Sequence, residues 1–167
     1  IDTALGDARM FFDFAERNDA IIWLFGALIV QALAADAAGD TAEADRACRR
    51  LFATWAGLRG FPPFFAFWVS DLIVLPRQQG ALADAASCLP ETVPWKHALT
   101  AVGEGRFDDA AGMYRAMGSR TLEAAASRFA GRAPAVEAAL RFYEGVGATR
   151  LADMTRDLLA VQSATMS

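Results

Sequence analysis

A short phrase recurs 29 residues apart and narrows what this chain can fold into. Tyr114-x-x-Met117-Gly118-Ser119 returns as Tyr143-x-x-Val146-Gly147-Ala148, and Ala110 returns as Ala139. In each copy a helical stretch runs into a Gly where a left-handed C-cap belongs, a conformation that Gly enters without steric cost. A small residue, one helical turn, a Tyr and a stop is the pattern of stacked helical hairpins. Such arrays build surfaces rather than reaction centres.

The rest of the punctuation agrees. Gly39-Asp40-Thr41, Arg59-Gly60, Gly80, Pro90 to Pro94, Gly103 to Gly105, Gly118-Ser119, Gly131-Arg132 and Gly147 cut the chain into short segments. None shows the strict alternation of a half-buried strand, and most place apolar residues at helical spacing. In the segment from Thr41 to Leu58, Ala44, Ala47, Cys48, Leu51, Phe52 and Trp55 fall on one stripe, with Asp40-x-x-Glu43 as a capping box at its start. Pro62 and Pro63 suit the first turn of a helix that Pro76 ends or kinks. Further helices are expected near 81–89, 95–102, 107–117, 120–130, 134–146 and 149–162. Together with the N-terminal segments this gives about nine or ten helices on short connectors, an all-α fold of antiparallel neighbours. The expectation is a single helical-repeat domain over 1–167, with the clearest repeats at 94–162.

Composition restricts the functions. Apolar residues make up 54% of the chain, enough for a sizeable core, and the net charge of −4 argues against a broad nucleic-acid-binding face. Arg46, Arg49 and Arg50 have Asp40, Glu43 and Asp45 beside them and read as a solvated face. Cys48 and Cys88 have no second Cys or His at metal spacing, which suggests two buried thiols in a reducing compartment. No signal peptide is readable and the chain does not begin with Met, so a cytoplasmic fragment of a longer protein is expected. Ala20 to Ala35 is uncharged, but it falls short of the roughly 20 residues that span a bilayer and is flanked by Asp19 and Asp36. A buried central helix, not a membrane span, is expected there.

No reaction centre is legible. His97, the one histidine, lacks a partner motif and reads as a surface or boundary residue. Gly103-Glu104-Gly105-Arg106 lacks P-loop spacing and reads as a turn in which both Gly residues supply positive φ. The pairs Asp108-Asp109 and Asp153/Asp157 have no His or Cys company and read as solvated helix residues. No catalytic residue, metal site or cofactor is expected.

The most unusual composition is Phe61-Pro62-Pro63-Phe64-Phe65-Ala66-Phe67-Trp68. Neighbours on a helix stand about 100° apart, so these rings cannot share one face. Either the helix is buried on most sides, or part of the cluster is open to a partner. Phe61, Phe64, Phe65, Phe67 and Trp68 are therefore the candidate partner-contacting residues.

From Trp95 to Leu159 the chain resembles a tetratricopeptide repeat array. Ala98 takes the small position of a first repeat helix, Ala110 that of a second, and Tyr114 its bulky position; Ala139 and Tyr143 repeat the last two. The spacing of 29 is shorter than the usual 34 or so. The stretch Ala138 to Arg150, with Pro94-Trp95 and Gly105 to Ala111 upstream, resembles the closing tail of large bacterial multidomain regulators. These join a class III adenylate/guanylate cyclase or LuxR-type DNA-binding domain to an ATPase module and a helical-repeat tail. The resemblance implies a right-handed α-solenoid that acts as a non-enzymatic interaction or sensor module in signalling or transcription. It would bind a protein or peptide on a concave face, the partner being an upstream domain of the same chain or a second copy. Direct nucleic-acid or membrane binding is not implied. The other reading open at this stage is a small apolar ligand- or lipid-binding domain, with a cavity between the Ala20–Ala35 helix and the Phe61–Trp68 segment.

Overall fold

The computed structural model describes residues 2–18, 20–57 and 65–165. Phe61 and Phe64, with Pro62 and Pro63, lie outside the described residues. Among those described there are ten α-helices, two 3₁₀ segments and no strand. The helices are α1 Asp2–Arg17, α2 Ile21–Ala37, α3 Thr41–Gly57, α4 Phe65–Val69, α5 Gln79–Ser87, α6 Pro94–Gly103, α7 Phe107–Ala116, α8 Arg120–Arg128, α9 Ala133–Gly145 and α10 Thr149–Thr165. Their bounds follow the sequence reading to within a few residues from α5 onward.

The recurring Gly phrase is a shared corner. The Ser119 N–H donates to the Tyr114 carbonyl at 2.9 Å, and the Gly118 N–H to that of Arg115 at 3.0 Å. At the second copy Ala148 reaches Tyr143 at 2.9 Å and Gly147 reaches Glu144 at 3.2 Å. Both glycines hold positive φ, 76° and 71°, so each helix closes its last carbonyls on the turn that follows. The same paired bonds recur at Gly39, with Asp40 to Ala35, and at Gly105, with Arg106 to Ala101. The residue that accepts the closing bond, Ala35, Ala101, Tyr114 or Tyr143, is buried every time. Each corner is thereby pinned to the core as well as turned.

Consecutive helices pack on one another from α1 to α3 and from α5 to α10, and α3 also touches α5. Ala98, Ala110 and Ala139 are fully or almost fully buried, as small residues at helix crossings should be. The Asp40 carboxylate caps α3 by accepting from the Glu43 N–H at 3.0 Å. The main core runs from α2 through α8, and a smaller cluster of Ala124, Ala139, Tyr143 and Ala152 joins α8, α9 and α10.

Several expectations need correcting. The stretch that Pro76 closes is not one continuous helix. After α4 it tightens into a 3₁₀ segment over Ser70–Val74, and Leu75 is extended, as a residue before Pro must be. The buried Ser70 hydroxyl donates back to the Ala66 carbonyl at 2.7 Å, a bond that competes with regular helix geometry. This short unit packs against α2, α5, α6 and α8, filling the space among them. Of the two thiols, Cys48 is buried but Cys88 is exposed, because it follows the last turn of α5. Gly105 has positive φ but Gly103 does not; a Cβ there would stand 2.3 Å from the Ala83 Cβ, so Gly103 serves the close approach of α5 and α6. Helix α2 is not buried all round, since Ile21, Ile22, Trp23 and Val30 are exposed. Among the described residues no helix is long and apolar enough to cross a membrane.

Candidate interaction surface

Helix α1 carries two apolar stripes. Ala8 and Ala15 face inward with half-buried Phe12, while the larger Met10, Phe11 and Phe14 face out. Small inward residues let α1 lie close on α2 and leave the bulk on the opposite side. Helix α2 is apolar on nearly every face. Phe25, Leu28, Ile29, Ala32 and Ala35 enter the core, and Ile21, Ile22 and Trp23 do not. The two outer faces meet where the Phe11 ring sits edge-on to Trp23, centroids 5.5 Å apart, with Phe14 at 6.5 Å from Phe11. Seven large apolar side chains of the hairpin, three on α1 and four on α2 with Val30, are each 39 to 63% exposed. On the side of α1 that faces α3, the Arg50 guanidinium lies 4.3 Å from the Phe12 ring centroid and pairs with Glu16.

The aromatic segment divides. Phe65 is 2% exposed and packs on Phe25 at 5.2 Å, so it belongs to the core and not to a partner surface. Its position at the start of α4 turns it toward α2. Trp68 is half-buried beside Phe65, at 5.4 Å. Phe67 points outward, 46% exposed, and stacks edge-on to Trp95 of α6 at 5.3 Å. Trp95 in turn lies 5.9 Å from Tyr114 of α7. Rings from α4, α6 and α7 thus form one run. Phe25 also packs on Trp55, at 6.0 Å.

Asp71 shares the outward stripe of this segment with Phe67 and Val74. Burial pushes its carboxyl up to about 6, and among the described residues no cation stands near enough to oppose that. Tyr114 is buried, and burial pushes its hydroxyl up to about 12; it lies beside Ser70 without a well-formed hydrogen bond. Burial likewise raises the Cys48 thiol to about 12, with the Asp45 carboxylate adding to the shift.

The groups weighed as chemical candidates are held in surface ion pairs or stand apart. His97 is exposed, with Nε2 3.0 Å from the Glu91 carbonyl oxygen. Asp108 accepts from Arg132 Nε at 2.9 Å, which holds its carboxyl below the usual range, and Asp109 pairs with Arg106 at 2.8 Å. Arg156 joins Asp153 to Glu144, while Asp157 is exposed. Arg46, Arg49 and Arg50 line an open groove of ≈510 Å³ between the α1–α2 hairpin and α3, with Arg46 paired to Glu43. A narrower niche of ≈150 Å³ lies among Phe52, Trp55, Ala81, Ala85 and the exposed Cys88. Among the described residues no three His, Cys, Asp or Glu side chains gather as metal ligands.

Compared with known families, curated proteins and solved structures, the chain matches none.

The α1–α2 patch was missed in the sequence because a helix apolar on all sides was read as buried on all sides. The signal is present in α1, where Met10 and Phe14 fall away from Ala8 and Ala15 and Phe11 lies at the border between the two faces. Two apolar stripes on one helix require two surfaces to cover them.

Proposed function

We propose that this chain is a non-enzymatic protein-interaction module, a tetratricopeptide-like helical-repeat tail of a larger bacterial signalling or transcription regulator. The single observation that carries the interaction reading is the exposed ring cluster of Phe11, Phe14 and Trp23, where the outer sides of α1 and α2 meet. A Phe or Trp carries about 150–250 Å² of surface, so these three rings at half exposure leave on the order of 300 Å² uncovered, within the range of surface patches that are often functional. Burying them contributes most where rings such as Phe11 and Trp23 reach a partner's pocket.

The recognising surface in this reading is the outer face, not a groove among inner helices, because Phe65–Val74 occupies the space among α2, α5, α6 and α8. Its occupant is another helical segment, from an upstream domain of the same protein or a second copy. Occupancy would bias the contacts of an upstream cyclase or ATPase module by as much as the partner prefers one state over the other.

A photo-crosslinking residue placed at Phe14 in the intact parent protein tests this. The expected result is a discrete adduct to one polypeptide or one other domain, lost with Trp23→Ser while the melting curve stays within about 1 kcal/mol of the parent. No adduct, or a diffuse smear unaffected by Trp23→Ser, would overturn it.

A further inference from the structure

The strip of Phe67, Asp71 and Trp95 combines features that call for an outside group. Phe67 and Asp71 stand one turn apart on the outward side of the α4 and 3₁₀ unit. The half-buried Trp95 ring packs edge-on to Phe67 at 5.3 Å, and beneath it Tyr114 feels the Asp71 charge. A carboxylate set among rings and partly withdrawn from water normally has a cation, because an unopposed charge there is costly. Among the described residues Asp71 has none. The nearest basic residue along the chain from Trp95, Lys96, is committed to Glu91 at 2.5 Å.

From this juxtaposition we propose that Phe67, Asp71 and Trp95 form a recognition site for an arginine side chain of a partner polypeptide. A guanidinium is planar, so it can lie over an aromatic face while its edge donates two hydrogen bonds to one carboxylate. Charge complementarity favours this occupant: the site offers one unopposed negative charge, on a chain of net charge −4. Phe67 is exposed and Asp71 and Val74 are half-buried, which suits a side chain presented by a peptide backbone resting on Phe67. Taking the guanidinium from a polypeptide rests on the interaction-module reading; the site itself is separate from the α1–α2 patch.

The test is calorimetric titration of the whole chain with a short blocked peptide bearing one central arginine, and with the same peptide carrying citrulline, which keeps the shape and loses the charge. Saturable binding of the arginine peptide is expected, at least tenfold tighter than citrulline. Asp71→Asn and Phe67→Ser are each expected to weaken it about tenfold or more. Asp71→Asn is not expected to unfold the protein, since it removes a buried charge, so lost binding in that variant cannot be a folding failure; shifts of the Trp95 indole resonance on titration report the site directly. Equal binding of the arginine and citrulline peptides, undiminished binding by Asp71→Asn, or no saturable binding would overturn the proposal. An α1–α2 patch that crosslinks normally beside a negative titration would sink this inference alone. A positive titration beside an inert patch would sink the patch reading instead.

Discussion

Arg128 is buried at the end of α8 with its guanidinium 4.7 Å from the Phe129 ring centroid, and neither Nε nor Nη1 has a hydrogen-bond partner. Burial lowers its pKa, the Tyr143 hydroxyl opposes that shift, and Arg150 adds to it. Unsatisfied buried donors cost about 1–3 kcal/mol, whereas an apolar chain of similar length keeps the packing. Arg128→Met is therefore expected to stabilise the fold by about 1–2 kcal/mol, read as a higher urea midpoint at unchanged slope. A loss of stability would mean that the guanidinium has a partner in solution. Asp71 offers a second test at the same scale. Its carboxyl is raised from 3.8 to about 6, so the folded state holds that proton more tightly than the unfolded state. The Asp71 contribution is thus most favourable below about pH 4, falls as pH rises toward about 6, and levels off above, leaving a cost of about 1–3 kcal/mol at neutral pH. Asp71→Asn should raise neutral-pH stability by that amount and remove this part of the slope between pH 4 and 6. Equal slopes in variant and parent would refute the assignment.

At the scale of the helix, the corners at Gly118 and Gly147 were legible because a left-handed C-cap leaves a mark on residue type. The corner at Gly105 is built alike, and its positive φ is legible as a Gly turn, whereas Gly39 reads only as a break, because the anchoring residue there is Ala35 rather than a Tyr that repeats. Small inward residues are equally readable, and Ala110 and Ala139 are both buried. Ala110→Leu or Ala139→Leu should overpack these crossings and cost about 1–3 kcal/mol in denaturant unfolding, with Ala110, inside the main core, the more sensitive. Variants that melt with the parent would show that the crossings are looser than their burial implies. The 3₁₀ turn after α4 was not legible, since Phe65 to Val74 has a helix-like apolar pattern. What tightens it is the Ser70 back-bond and the demand of Pro76, effects of geometry more than of periodicity. Burial on α2 was unreadable for a related reason: a uniformly apolar sequence shows that a helix seeks cover and is silent on which face its own chain supplies.

Across the whole molecule the core is uneven, and this sets where it should open first. Helices α2 to α8 share one large cluster that includes fully buried Phe25, Leu51, Leu72, Leu99 and Tyr114. The α9–α10 hairpin is held by a much smaller one, in which three of the four buried residues are Ala and only Tyr143 is large. Area buried scales with free energy, so this end has less holding it than the centre. Its tie to the far side is Arg150, whose Nη2 donates to the carbonyl and the carboxylate of Asp36 on α2, both at 2.9 Å. That contact is partly exposed and contributes about 1 kcal/mol or less. Native-state hydrogen exchange should therefore show α9 and α10 opening together in a sub-global step, at a lower free energy than amides of α5 to α8. Asp36→Ala should lower protection in α10 by up to about 1 kcal/mol and leave the α5–α8 amides unchanged. The result that contradicts this is exchange of α9 and α10 only through global unfolding, with one free energy for the whole chain. The small cluster would then be coupled to the main core through α8, which contributes Ala124 to one and Leu122, Ala125 and Ala126 to the other.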